Sequence, residues 1–330
     1  MQRAFEGFEL PVDNKAKLQE QFIVPPFSIL DTRQGYWQDR KRQWINLGIK
    51  SEVGRGDNLL YNSEEINGYG MDFYRVKKKS AACLPKGFDE EKYGKKQKQG
   101  TSIFDPLLCE LMYKWFVPKN GTILDPFSGG SVRGIVASVL GYSYTGIELS
   151  AEQVAANKEQ ASSIVPENMP VWHQGDCNSW LDNYDNKHYD FVFSCPPYHD
   201  LEEYSDDMND LSNMSWDTFK YVYNQIIGKL VLRLKEDRFA CFVISEIRGD
   251  DGTYKSFVPY TINCFNNAGA KYYNEIILVN SIGTLPVRIA SQFAYRKIGR
   301  THQNILVFYK GNYNNIPKYF NKIDTGNIAF

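Results

Sequence analysis

Residues 122–150 read TILDPFSGGSVRGIVASVLGYSYTGIELS. A short apolar run, 122–124, leads into Asp125 and a turn of small residues that includes Phe127, Ser128, Gly129, Gly130 and Ser131. A small-residue helix is predicted over 132–140, then a second strand over 144–147 ending at Glu148. Strand, glycine turn, helix and strand make one βαβ unit. Its glycines allow a ligand to approach the backbone closely, at a helix N-terminus that suits a carboxylate or phosphate. Glu148 lies 23 residues after Asp125, about the spacing at which an acid meets ribose hydroxyls in nucleotide-binding folds.

The same texture extends outward. Upstream, Asp105-Pro106 followed by LLCELMYKWF reads as an N-cap, a proline at the first helical position and an amphipathic helix. Downstream, Ser150-Ala-Glu-Gln153 is a capping box opening the next helix. A third strand is predicted over 171–174, ending at Gly175-Asp176, and a fourth over 191–193, ending at Ser194-Cys195-Pro196-Pro197-Tyr198. A long helix over 216–234 precedes a fifth strand, 240–245, ending at Glu246. Segments 273–279 and 305–309 read as an antiparallel pair. Alternation of this kind predicts an α/β fold, a doubly wound Rossmann-like sheet. Ligands of such sheets bind at the carboxyl ends of the strands, where Asp125, Glu148, Asp176, Cys195 and Glu246 fall.

Composition limits the alternatives. The 330 residues are 42% hydrophobic and 23% charged, enough for a real core, so wholesale disorder is excluded. The net charge of −1 excludes a uniformly basic protein but leaves room for a local basic footprint. The chain lacks the apolar run of about 18 residues that a membrane helix needs, and its start lacks a signal-like segment, so an intracellular, membrane-free location is expected. Six cysteines without CxxC spacing argue against a disulfide framework and a zinc site, so no metal is expected. Residues 1–99 read as an N-terminal accessory region. Its stretch 75–98 holds nine basic against three acidic residues and reads as a basic linker. Residues 100–330 read as the catalytic domain.

The segment from Gly100 to Asn157, with its LDPFSGG turn, resembles the S-adenosylmethionine (SAM)-binding half of DNA amino-methyltransferases, which act on N6 of adenine or N4 of cytosine. FSCPPY resembles their catalytic loop, (D/N/S)PP(Y/F), and ILVFYK their last strand. The resemblance covers roughly residues 100–310. It implies a Rossmann-like SAM-dependent methyltransferase domain with SAM as cofactor, held by Thr101, Ser102, Phe104, Asp125, Phe127, Ser128, Gly129, Glu148 and Asp176. It also implies that the Pro196 carbonyl accepts a hydrogen bond from the target amino group and that Tyr198 stacks on a flipped base.

Cys195 departs from this pattern, because a sulfur is a poor acceptor where the family has Asp, Asn or Ser. Two mechanisms follow. In the favoured one, Cys195 adds as a thiolate to C6 of cytosine, C5 takes the methyl group, and Glu246 serves as the acid near N3, as in cytosine C5-methyltransferases. Arg248 and Arg296 are candidate cations for lowering the thiol pKa. In the other, the Cys195-Pro196-Pro197-Tyr198 loop directs methyl transfer to an exocyclic amino group. An RNA methyltransferase and a catalytically silent nucleic-acid-binding module are further alternatives.

The expected partner is DNA, single-stranded or with a flipped base. Arg40, Arg42, Arg248, Arg288, Arg296, Lys297 and Arg300 are its candidate contacts, and the acidic loop 199–216 is expected to wall the pocket. Oligomeric state, recognition sequence and a role in restriction or in viral genome protection are left open by the sequence.

Overall fold

The computed structural model describes residues 22–50, 104–183, 187–199, 207–283 and 285–320. The strands are β1 (Ile29–Asp31), β2 (Thr122–Asp125), β3 (Ser143–Glu148), β4 (Val171–Gln174), β5 (Tyr189–Ser194), β6 (Leu234–Ile244), β7 (Lys271–Val279) and β8 (His302–Lys310). The helices are α1 (Gly35–Ile45), α2 (Pro106–Phe116), α3 (Val132–Val139), α4 (Ala151–Ile164), α5 (Cys177–Asn183), α6 (Trp216–Arg233), α7 (Phe257–Ala268), α8 (Leu285–Ala294) and α9 (Ile316–Tyr319).

The strands form one sheet in the order β1-β7-β8-β6-β5-β2-β3-β4. β8 runs antiparallel to both β6 and β7, and the other pairs are parallel. From β2 the chain winds outward through β3 to β4, then crosses back to β5 on the other side of β2. The topological switch point therefore lies between β2 and β5. The Rossmann-like α/β expectation holds, as does the antiparallel pairing of the last two strands.

Side chains alternate between two cores, one on each face of the sheet. Ile123, Phe191, Phe193, Cys241 and Val243 face the core built with α1 to α4. Leu124, Val192, Ala240, Phe242 and Ile244 face the core built with α5, α6 and α7. Caps set the helix entries. Asp105 accepts from the Leu107 and Leu108 amides with Pro106 at the first turn, and Ser150 accepts from Gln153.

The described part of the N-terminal region, 22–50, shares this sheet and core. β1 pairs in parallel with β7, and Trp37 and Trp44 of α1 are fully buried. Arg40 is buried too, which corrects its assignment as a nucleic-acid contact. Its guanidinium makes a two-pronged pair with Glu110 of α2, at 3.0 and 2.6 Å, and the Trp44 indole donates to the same carboxylate at 2.7 Å. Burial alone would raise the Glu110 pKa, but the Arg40 hydrogen bond and the Lys114 and Arg40 charges hold it below its ordinary value. Removing one partner strands a buried charge, so Arg40→Ala should cost about 3–5 kcal/mol in denaturant unfolding. Glu110 contributes stability above its ordinary carboxylate range, lost as pH falls through its lowered pKa, and Glu110→Gln should flatten that acid limb.

Candidate active site

Asp125 ends β2 and Ser194 ends β5, so the two face each other across the switch point. The Ser194 hydroxyl donates to Asp125 Oδ1 at 2.5 Å. Asp125 Oδ2 accepts from Arg133 Nε of α3 at 2.5 Å and from the Tyr144 hydroxyl of β3 at 2.7 Å. Arg133 also donates to the Phe127 and Ser128 carbonyls, at 2.6 and 2.9 Å. One buried guanidinium thus fixes both the carboxylate and the backbone of the glycine turn. Burial alone would lower its pKa, but Asp125 more than offsets this and holds it above its ordinary value.

Asp125 is fully buried and saturated by these donors, so it shapes the turn from beneath instead of offering its carboxylate to a cofactor. Phe104 sits with it. Its ring lies 4.5 Å from the Arg133 guanidinium and edge-on to Phe193 at 5.9 Å. Thr101 and Ser102 lie outside the described residues.

The turn is tight. Gly129 has φ +49°, a left-handed value. A Cβ on Gly146 of β3 would come within 2.8 Å of Ser128 Cβ, so the close approach of turn and strand depends on that glycine. Ser128 is fully buried and its hydroxyl has no partner among the described residues. Two side chains of α4, unmarked by sequence reasoning, brace the turn. Asn157 donates to the Gly129 carbonyl at 2.7 Å, and Gln160 Oε1 accepts from Ser131 at 3.0 Å. Their signal was the placement of amides on the inward face of a helix.

Glu148 and Asp176 end β3 and follow β4, on the same edge of the sheet. Glu148 Oε1 accepts from the Ser150 amide at 2.9 Å. Asp176 caps α5. Its Oδ2 accepts from the Ser179 amide and hydroxyl, and its Oδ1 from the Asn178 amide at 3.2 Å, which leaves Oδ1 a second lone pair. Phe127 is half-buried against the α5–α7 core.

At the end of β5, Cys195 is partly buried and Pro196 buried. Cys195 Sγ lies 3.7 Å from the Tyr198 hydroxyl. That hydroxyl accepts from Gln303 Nε2 of β8 at 2.9 Å and reaches the Val243 carbonyl at 3.4 Å. The Tyr198 ring packs edge-on to Phe257 at 6.3 Å. From sequence Gln303 reads as a structural residue just before a strand; its bond to Tyr198, 105 positions away, is not visible in any local pattern. The Pro196 carbonyl receives no hydrogen bond among the described residues.

Glu246 requires a correction. Its two carboxylate oxygens accept from the Phe257 and Val258 amides, each at 3.0 Å, and so cap α7. Ser256, the residue before the helix, is left-handed with no side-chain cap of its own, so Glu246 takes that function from 11 residues away. Both carboxylate oxygens are thus turned to the first amides of α7, which commits Glu246 to capping that helix.

His199 also escaped notice. The Lys255 ammonium donates to its Nδ1 at 2.9 Å, which places the ring proton on Nε2, where it donates to the Met214 carbonyl at 3.0 Å. His199 thus ties the exit of the 199–216 loop to its return, packed on Trp216 and Phe219. Asp210 in that loop is buried as a cap on Ser212. Residues 200–206, with much of its acidity, lie outside the described residues.

The remaining basic candidates divide. Arg42 is exposed and pairs with Asp39. Arg300 is tied to the His302 carbonyl and to Asn304. Arg248, Arg296 and Lys297 gather at the carboxyl edge of the sheet, and Arg288 lies on α8 with its side chain outside the described residues. Among the described residues no cluster of His, Cys, Asp or Glu could hold a metal, and no helix is long and apolar enough to cross a membrane.

No protein-family model matches the chain, and no curated protein matches it. Solved structures with a similar fold include TrmN from Thermus thermophilus, with 11% identity, TM-score 0.42, 63% of this chain and 49% of that chain covered. This chain therefore spans about half the length of TrmN. Magnesium protoporphyrin IX methyltransferase (ChlM) from Synechocystis PCC 6803, solved with bound SAM, has 12% identity and TM-score 0.39 over 77% of this chain and all of that one (100%). The [4+2]-cyclase SpnF has 15% identity and TM-score 0.44 over 63% of this chain and 81% of that chain. A shared fold does not fix an activity. The strand order and the placement of the site at the β2/β5 switch point make this chain a Rossmann-like α/β protein on its own geometry.

Proposed function

We propose that this chain is a SAM-dependent DNA methyltransferase that methylates an exocyclic amino group, with N4 of cytosine as the target. The observation that carries this reading is the Cys195-Pro196-Pro197-Tyr198 loop at the switch point, where Pro196 is a buried residue whose carbonyl accepts no hydrogen bond from the described residues. A carbonyl without a donor from the protein has its lone pairs open to an N–H of a ligand.

The residues of the glycine turn fit the cofactor. Gly129 and Gly130 leave the backbone approachable, the Ser128 hydroxyl has no partner among the described residues, and Glu148 and the spare lone pair of Asp176 Oδ1 lie on the next two strand ends. Asp125 and Arg133 hold that turn in shape. When bound, SAM supplies an electrophilic methyl group.

The Pro196 carbonyl holds one N–H of the target amino group and so orients the nitrogen lone pair for attack. Transfer would break the S–CH3 bond of the bound sulfonium, leaving a neutral thioether, and the surplus amino proton would go to solvent. Cys195 stands in the place of the serine found in the N4-cytosine group, and its weak acceptor contributes little. Tyr198, its hydroxyl fixed by Gln303, offers a ring of set orientation for the base to stack on.

Covalent C5 transfer is the second reading. Its support is the position of Cys195 at the end of β5, with Sγ partly buried and 3.7 Å from the Tyr198 hydroxyl. Against it, the Glu246 carboxylate that this chemistry would turn to N3 of the base is engaged in capping α7. DNA carrying 5-fluorocytosine separates the two. Amino transfer predicts turnover and no protein–DNA adduct on denaturing gels. A SAM-dependent adduct that disappears in Cys195→Ala would establish the C5 route instead.

A further inference from the structure

The β7–β8 connection, 280–301, contains four Arg or Lys and no Asp or Glu, in a chain of net charge −1. Both its ends lie at the carboxyl edge of the sheet, where Val279 pairs with His302 and Ile244 with Asn304. It begins the strand that carries Gln303, the residue bonded to Tyr198, so it adjoins the catalytic loop.

Its surface is unusual for an exposed connection. Phe293 and Tyr295 are 50% and 80% exposed, and each ring carries a cation: Arg296 lies 5.0 Å from Phe293 and Lys297 5.9 Å from Tyr295. The neighbouring hairpin after β6 adds a third pair. Arg248 lies 4.1 Å from the exposed Tyr254 ring, held there by a bond to the Gly252 carbonyl at 2.8 Å. The two segments meet where a Cβ on Gly252 would stand 2.9 Å from Lys297 Nζ. Asp250 and Asp251 share the hairpin, but the Asp251 carboxylate is engaged with the Thr253 amide and hydroxyl.

Exposed rings interleaved with guanidinium and ammonium groups are the chemistry that grips single strands, with bases on the rings and phosphates on the cations. We propose that the 280–301 connection, with the Arg248–Tyr254 hairpin, binds unpaired DNA nucleotides flanking the target base, with Phe293, Tyr295 and Tyr254 as stacking faces and Arg248, Arg296 and Lys297 on phosphates. The inference rests on the DNA-methyltransferase reading and names how that site holds its substrate strand.

Fluorescence anisotropy of the full chain with a labelled single DNA strand, its duplex and the matching RNA strand tests it. The single DNA strand should bind most tightly. Tyr295→Ala and Phe293→Ala should each weaken it about 5- to 150-fold, and Lys297→Ala should reduce the salt slope by about 0.7. Wild-type affinity in both ring variants, an unchanged salt slope, or equal binding of RNA would overturn the proposal. DNA methylation kinetics keep the two readings apart. A wild type that does not methylate DNA rejects the enzyme reading. A wild type that does, alongside a Tyr295→Ala variant of unchanged KM, rejects only this surface.

Discussion

Arg133→Met should unfold at markedly lower denaturant, at a cost of about 3–5 kcal/mol, and should lose measurable SAM binding at temperatures where it remains folded. The substitution keeps the length and apolar stem of the side chain. It deletes the charge that faces fully buried Asp125 and the donors that hold the Phe127 and Ser128 carbonyls. An uncompensated carboxylate is left at 0% exposure, with only the Ser194 and Tyr144 hydroxyls and the Phe127 amide to support it. Arg133→Lys separates charge from geometry. An ammonium can face Asp125 but cannot reach the carboxylate and two carbonyls in a planar fork, so stability should largely return while SAM affinity remains reduced. Calorimetric titration with SAM alongside urea unfolding measures both. Wild-type SAM affinity in a folded Arg133→Met would show that the turn does not need its clamp.

Tyr198→Ala should lower kcat/KM for DNA by about 5- to 150-fold, the range for loss of one base–aromatic stack. SAM affinity should be unchanged, because Tyr198 is held from the β6, β8 and α7 side, by Val243, Gln303 and Phe257. Tyr198→Phe retains the ring and removes the hydroxyl that Gln303 holds. It should lose much less, and Gln303→Leu should resemble it. Equal losses in Tyr198→Phe and Tyr198→Ala would assign the effect to the hydroxyl and its bond to Cys195, which would favour the thiolate chemistry.

The sequence was readable where structure is local. The strand–turn–helix at Asp125 and the caps at Asp105 and Ser150 follow from residues within a few positions of one another. β6 was less legible. It starts at Leu234, and the run Lys235-Glu236-Asp237-Arg238 hides its pattern because those charges serve distant partners, as Lys235 and Arg238 serve Asp190 of β5. α7 is rich in aromatic, β-branched and asparagine residues of modest helix propensity, and its N-terminal cap comes from Glu246. β1 spans three residues and exists through pairing with β7, about 250 positions away, which no local pattern announces.

The candidate site follows the same rule. Its positions at the strand ends were visible, but the roles of the acids were not. Asp125, Asp176 and Glu246 share the chemical type and placement of ligand-binding carboxylates, yet each is engaged by donors of the protein itself. Arg40 looked like a phosphate contact because arginine between aromatics suits nucleic acid, whereas its partner Glu110 lies 70 residues on, in a different helix. Long-range pairing decides whether a charge is spent or available.

The atom that receives the methyl group distinguishes amino transfer from C5 transfer. Incubation with isotopically labelled SAM and DNA, digestion to nucleosides and identification by mass measures it directly, in wild type and in Cys195→Ser. The expected product is N4-methylcytosine in both, with the variant within about tenfold of wild type because serine accepts a hydrogen bond at least as well as cysteine. A label in 5-methylcytosine that vanishes with Cys195→Ser, or no label in DNA at all, would contradict it.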